Sequence, residues 1–185
     1  MQPRRSNRTL ALAVAAAVPG VLLAATAIAA SGDRSAKVTA RFAAPESDKT
    51  HAAVTYDQRS VPVGSRVRVV EEPQDKPGDA GDVTLETLKV WGLRPNRRYD
   101  AYVHTRRCGA TAAAAGRRTQ DGPSGGHYPQ NEVWLNFRTD RRGDATARAG
   151  QYWIFEPGHA SQANSVVIQS HVTKAAVACV TVPFA

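Results

Sequence analysis

The sequence predicts an all-β chain folded as an antiparallel sandwich or barrel, on three observations. Apolar residues recur with period two: Arg66-Val67-Arg68-Val69 alternates charge with valine, Glu132 to Phe137 puts Val133, Leu135 and Phe137 on one face, and Ser165 to Ile168 is β-branched and apolar. Turn-forming residues separate such runs at Pro62-Val63-Gly64, Pro73 to Gly81, Arg94-Pro95-Asn96, Gly122 to Gly126, Arg141 to Asp144 and Pro157-Gly158. Beyond residue 30 no apolar pattern of helical period runs past about three turns, which leaves sheet packed on sheet as the natural architecture.

The N-terminal segment has a different character. Arg4, Arg5 and Arg8 precede residues 9–30, which carry no charge and end in the small-residue signature Ala27-Ile28-Ala29. A basic start, an apolar centre and a small-residue end form the pattern of a secretory signal peptide. The expectation is therefore a signal helix over 1–29 and a secreted or cell-envelope protein. An uncharged stretch of this length also suits a membrane anchor if it is left uncleaved, although Pro19-Gly20 interrupts it.

Residues 30–52 are small and polar and are expected to form a linker leading into a first strand, with Val38 to Phe42 as the strand candidate. The main domain is placed over 53–185. The whole chain has 185 residues, with 24 Lys and Arg against 16 Asp and Glu. Removing 1–29 leaves 21 basic side chains against the same 16 acids, a balance of +5. This excess suits anionic cell-surface polymers or plain solubility. Nucleic acid is not an expected partner, because no zinc finger, helix-turn-helix or aromatic-basic platform is present.

Of all residues 42% are hydrophobic but only 6% aromatic, so alanine supplies much of the apolar count and the core is expected to be lean. Two cysteines and one methionine exclude a cysteine-rich zinc module, a cysteine-held haem or iron-sulfur site and a disulfide-dense miniprotein. In an exported chain Cys108 and Cys179 are expected to form a bridge. Such a bridge closes a long loop and is worth about 4 kcal/mol by chain entropy. The other use of two thiols, as metal ligands or nucleophiles, has no histidine at a recognisable spacing to support it.

Several segments in order carry a family resemblance. Val90-Trp91-Gly92-Leu93-Arg94-Pro95, then Tyr99 to Thr105, then Cys108-Gly109 resemble the first copper loop of the copper-zinc superoxide dismutases. Asn131 to Phe137, Ser165 to Ile168 and Ala178 to Phe184 are similar to a secreted bacterial branch of that family. The match runs over about 53–184. It implies an eight-stranded Greek-key β-barrel or sandwich whose Cys108–Cys179 bridge holds the copper loop to the last strand.

The ligand positions implied by the resemblance are degenerate. The family's His-Val-His reads Tyr102-Val103-His104, so one imidazole of a pair that faces one way along a strand is replaced by a phenol. The histidine after the Val-Val-Ile strand is Gln169. The bridging histidine aligns either with Arg118 or with His127 in Gly126-His127-Tyr128. The guiding arginine, three residues before the second cysteine, is Ala176, with Lys174 displaced nearby, and no set with zinc-loop spacing is present.

A copper that cycles between oxidation states needs several nitrogen donors. The resemblance with this deficit implies an exported domain that has lost its dismutase activity, carries no resident cofactor and acts as a binding or envelope-associated module. The alternative keeps copper, with His104, His127 and His171 assembling an altered site that converts superoxide to oxygen and hydrogen peroxide. His51 and His159 are expected to face solvent. Arg142-Gly143-Asp144 spells an attachment tripeptide, but it lies between two strands where glycine supplies a turn. No nucleophile elbow or serine, histidine and acid set points to a hydrolase.

Overall fold

Alternation of valine with charge along residues 66–69 buries one side of a strand and leaves the other for solvent, and this pattern generates the first of two sheets. The structure is a computed structural model that describes residues 35–46, 51–74, 83–122, 125–156, 158–159 and 161–184. The expected signal segment, 1–29, and the start of the expected linker lie outside the described residues.

The first sheet contains β1 (Ala36–Arg41), β3 (Arg66–Gln74), β4 (Val83–Trp91) and β7 (Ala145–Gln151), in the order β1-β3-β4-β7. The second contains β2 (Ala53–Thr55), β5 (Arg98–His104), β6 (Phe137–Arg138), β8 (Ser165–Ser170) and β9 (Ala176–Thr181), in the order β2-β9-β8-β5-β6. Neighbouring strands pair antiparallel throughout. The fold is all-β and two-layered. Of the expected eight-stranded barrel or sandwich, the described residues form the sandwich-like alternative, with nine short strands divided between two open sheets and no closed barrel. A 3-10 turn at Ala112–Ala115 interrupts them, and no helix in this region is long and apolar enough to cross a membrane.

Val67, Val69, Leu88 and Val90 from the first sheet meet Ala101, Val103, Val166, Ile168 and Val180 from the second in one buried cluster. The residues are small, as the composition predicts, and fill the layer by number rather than size. β1 begins two residues before the predicted Val38 and pairs with β3, so part of the expected linker belongs to the sheet.

The segment predicted as a strand from Glu132 to Phe137 behaves differently. Val133, Leu135 and Phe137 are all buried, as alternation requires, yet only Phe137–Arg138 is a strand. The reason is local. The Asn136 side-chain oxygen accepts the hydrogen bond from the Ala101 backbone N–H at 3.0 Å, and a side chain thus replaces a ladder carbonyl.

Cys108 and Cys179 form the predicted disulfide, which ties the segment after β5 to β9. Around it Val54, Ala115 and Val167 make a second, smaller apolar cluster on the outer face of the second sheet. The Arg142-Gly143-Asp144 tripeptide is a turn. Gly143 has φ +84°, and a Cβ there would lie 1.9 Å from the Leu93 carbonyl oxygen, so this position admits only glycine.

Candidate functional site

Strand β5 organises the site. Tyr99, Ala101 and Val103 point into the core, so period two sends Asp100, Tyr102 and His104 to the opposite face of the sheet. On an open sheet that face would meet water. Here the chain after β5 folds back against Tyr102 and His104, His171 and Lys174 close on Asp100, and all three residues are buried. The return is fixed by two backbone bridges, His104 with Arg118 and Tyr102 with Trp134.

At the centre stands Glu132, whose side chain is 1% exposed. Four groups donate to its carboxylate: Arg118 Nη1 at 3.1 Å, Trp134 Nε1 at 2.9 Å, Gln120 Nε2 at 3.3 Å, and His127 through Nδ1. Burial raises the proton affinity of this carboxyl. The donors from His127, Trp134 and Arg118, with the Arg118 charge, outweigh that and hold it below the usual glutamate value. The Arg118 guanidinium also lies 3.5 Å over the centre of the Tyr102 ring, and Trp134 meets the same ring edge-on at 5.7 Å between centroids. A buried carboxylate, a cation and two aromatic rings thus close on one another.

His104 lies beside this cluster. A carbonyl can only accept, so Nδ1–H donates to the Gly116 oxygen at 2.9 Å, which leaves Nε2 as the unprotonated nitrogen. That atom is buried without a hydrogen-bond partner. Burial, assisted by the nearby Arg118 charge, lowers the histidine's affinity for a proton in spite of the Gly116 bond.

The sequence-predicted residues divide into two groups. Tyr102, His104, Arg118 and His127 come together around Glu132. His171 does not join them: its Nδ1 donates to Asp100 Oδ1 at 2.7 Å, and its backbone N–H donates to the Arg98 carbonyl. Asp100 and His104 are four residues apart on β5, about 13 Å at strand rise. The expected convergence of His104, His127 and His171 on one point is therefore not formed. β8 turns at Ser170, and the Asp100 carboxylate holds the ring at the far end of β5.

Gln169 pairs with Asp100 across β5 and β8 and with Ala176 across β8 and β9, next to a bulge. Lys174, displaced from the expected guiding position, donates to Asp100 Oδ2 at 2.7 Å. Burial pushes the Asp100 carboxyl up, and His171 with Lys174 bring it to a net value below the ordinary one. Among the described residues no three His, Cys, Asp or Glu side chains gather as metal ligands. His159 is exposed as expected, whereas His51 is half-buried beside Glu46, its Nε2 3.7 Å from that carboxylate.

Glu132 and Asp100 are the residues that sequence reasoning missed. Each occupies a strand-like run where alternation alone gives it to solvent. The one available signal was that each lies within two residues of an aromatic or histidine already singled out. No protein-family model matches the chain, and no curated protein does.

Proposed function

We propose that this chain is a superoxide dismutase-like Greek-key domain, exported from the cell, in which a copper pocket has been replaced by a self-satisfied cluster, and that it acts as a binding module rather than a redox enzyme. The likeness is supported by adjacency. Tyr102, His104 and Arg118, three of the four positions aligned with copper histidines, are neighbours at β5, although Arg118 is fourteen residues beyond His104. Gln169 belongs to the strand beside them, and the disulfide fastens the same loop to the last strand. The contact also favours Arg118 over His127 as the counterpart of the bridging histidine.

One observation carries the loss of redox chemistry: the Arg118 guanidinium stacked on Tyr102 and paired with Glu132. His104 Nε2 is a free buried lone pair and by itself fits a metal ion. The donor set around it does not. A permanent cation stands where a second imidazole would be needed, the third position is a phenol ring covered by that cation, and His127 is engaged with Glu132. A dication here would face repulsion from Arg118 and a single nitrogen donor.

Copper loading of the disulfide-intact protein, with metal analysis and a superoxide-removal assay, tests this. The expected result is well under one copper per chain and no removal above a metal-free protein control. The double variant Tyr102→His with Arg118→His is expected to gain copper, and adding His104→Ala to abolish that gain. One tightly held copper per wild-type chain, lost in His104→Ala and accompanied by dismutation, would overturn the proposal.

A further inference from the structure

At the other end of β5 the charges are arranged in the opposite manner. A cleft of about 430 Å³ lies between the turn after β4, the start of β5, β6 and the turn after β8, and Arg94, Arg97, Arg98, Arg138 and His171 line it. No carboxylate contributes to its walls. Among the described residues none of the four guanidinium groups forms an ion pair or donates a hydrogen bond. Acids on neighbouring segments are committed elsewhere: Asp57 to Ser60, Asp100 to His171 and Lys174, and Asp140 to the N–H groups of Arg142 and Asp144.

Arg98 and Arg138 are direct cross-strand partners in the β5–β6 pair. Like charges placed opposite one another on a sheet oppose folding, and here the adjacent Tyr99–Phe137 pair, with ring centroids 5.1 Å apart, holds the two strands together in spite of them. The backbone that carries the arginines is nevertheless fixed. Thr139 Oγ1 donates to the Arg94 carbonyl at 2.8 Å and accepts from the Arg97 N–H at 3.0 Å. The Ser60 carbonyl accepts from both the Arg94 N–H and the Tyr99 hydroxyl, each at 2.9 Å. His171 is oriented by Asp100 through Nδ1, which leaves its Nε2 for another partner. The result is a concentrated positive field on a rigid frame.

We infer that this cleft binds a chain of phosphate groups. The planar fork of arginine pairs with tetrahedral oxyanions through two parallel bonds. Four such forks around one small cleft match a ligand that presents several negative charges within a few ångströms, which linked phosphates do and a single carboxylate does not. The same chemistry comes from a free oligophosphate or from a phosphodiester polymer of the cell surface. The inference goes beyond the metal-pocket proposal and does not depend on it, because the cleft occupies the Arg98 end of β5 and the metal positions lie towards His104.

Titration of the full chain with sodium tripolyphosphate, with poly(glycerol phosphate) and with polygalacturonate, at low and moderate salt, tests the inference. Binding of a phosphate probe is expected to weaken as salt rises. The Arg97→Gln, Arg138→Gln double variant should weaken it at least tenfold, and Arg148→Gln, on the other sheet, should leave it unchanged. Tripolyphosphate should also raise the melting temperature of the wild type and not that of the double variant, a readout that separates lost binding from lost folding. The tighter of the two phosphate probes names the source. Equal phosphate binding by wild type and double variant, no phosphate binding at all, or stronger binding of polygalacturonate would overturn it. None of these results bears on copper, so this inference and the proposed function fail separately.

Discussion

Glu132 and Glu86 are buried to nearly the same degree, 1% and 0% exposed, and the protein treats them in opposite ways. Glu132 lies in the segment folded over β5 and receives four side-chain donors, so its carboxyl is held below the usual value. Glu86 lies inside the first sheet on β4, with both carboxylate oxygens unpartnered and Glu71 directly across on β3 and Ala149 across on β7. Burial, and after it the Glu71 charge, pushes the Glu86 carboxyl well above the usual value. Burial alone therefore does not set the direction of the shift. The donors decide the direction: where the chain supplies them a buried carboxyl is held below its usual value, and where it does not the carboxyl is pushed above it.

The largest effect is expected on removing the charge at the satisfied site. Glu132→Gln deprives Arg118 of its partner and replaces an acceptor-only group with one that also donates. Breaking one side of a buried ion pair costs about 3–5 kcal/mol, and the partial exposure of Arg118 places this loss near about 3 kcal/mol. Urea unfolding at neutral pH measures it. The sign with pH follows from the lowered carboxyl: its contribution is present above the unfolded value of about 4.3 and is lost as pH falls through the folded value. The wild type and Glu132→Gln should therefore converge in strongly acidic solution. A constant gap down to pH 2 would contradict a charged Glu132.

Glu86→Gln is expected to act the other way. A carboxyl whose folded value is raised binds its proton more tightly in the native state, so stability is greatest below about pH 4.3 and declines as pH rises through the folded value. The neutral amide does not carry that penalty. It should gain about 1–3 kcal/mol at pH 8 and match the wild type near pH 4. Melting curves across this range check both the gain and its disappearance. A loss at pH 8 would mean that Glu86 is charged and paired, and the contrast with Glu132 would break.

What could be read from sequence divides along the same line. β-branched runs such as 165–168 and alternating ones such as 66–69 announce strands because their apolar faces are continuous, and two cysteines behind an expected signal segment announce their bridge. The resemblance brought Tyr102, Arg118 and Gln169 to attention as separate degenerate positions, and His104 as the histidine that is kept. It could not reveal that Arg118 stacks on Tyr102, because that contact depends on the path of residues 105–117, where no periodicity constrains the chain. Glu71 and Glu86 were illegible for a different reason: alternation sends both inward with Val69 and Leu88, against their polarity, and a pattern reading assigns glutamate to solvent. The four arginines of the cleft are visible one by one in the sequence. Their convergence is not, because Arg138 is distant in sequence from Arg94, Arg97 and Arg98 and joins them through the two-residue strand β6 and the Thr139 hydrogen bonds beside it.

The smallest expected effect isolates the aromatic part of the Glu132 cluster. Arg118 rests against the face of Tyr102 rather than its hydroxyl, so the ring is what the cation uses. Tyr102→Phe keeps that face and should change stability by less than about 0.5 kcal/mol. Tyr102→Leu keeps an apolar side chain but removes the ring quadrupole, and with it the edge contact from Trp134. It should cost about 1–2 kcal/mol beyond the change in buried area. A double-mutant cycle of Tyr102→Leu with Arg118→Met separates this coupling from simple packing. If the two losses add without interaction, the ring only fills space, and the cation is held by Glu132 alone.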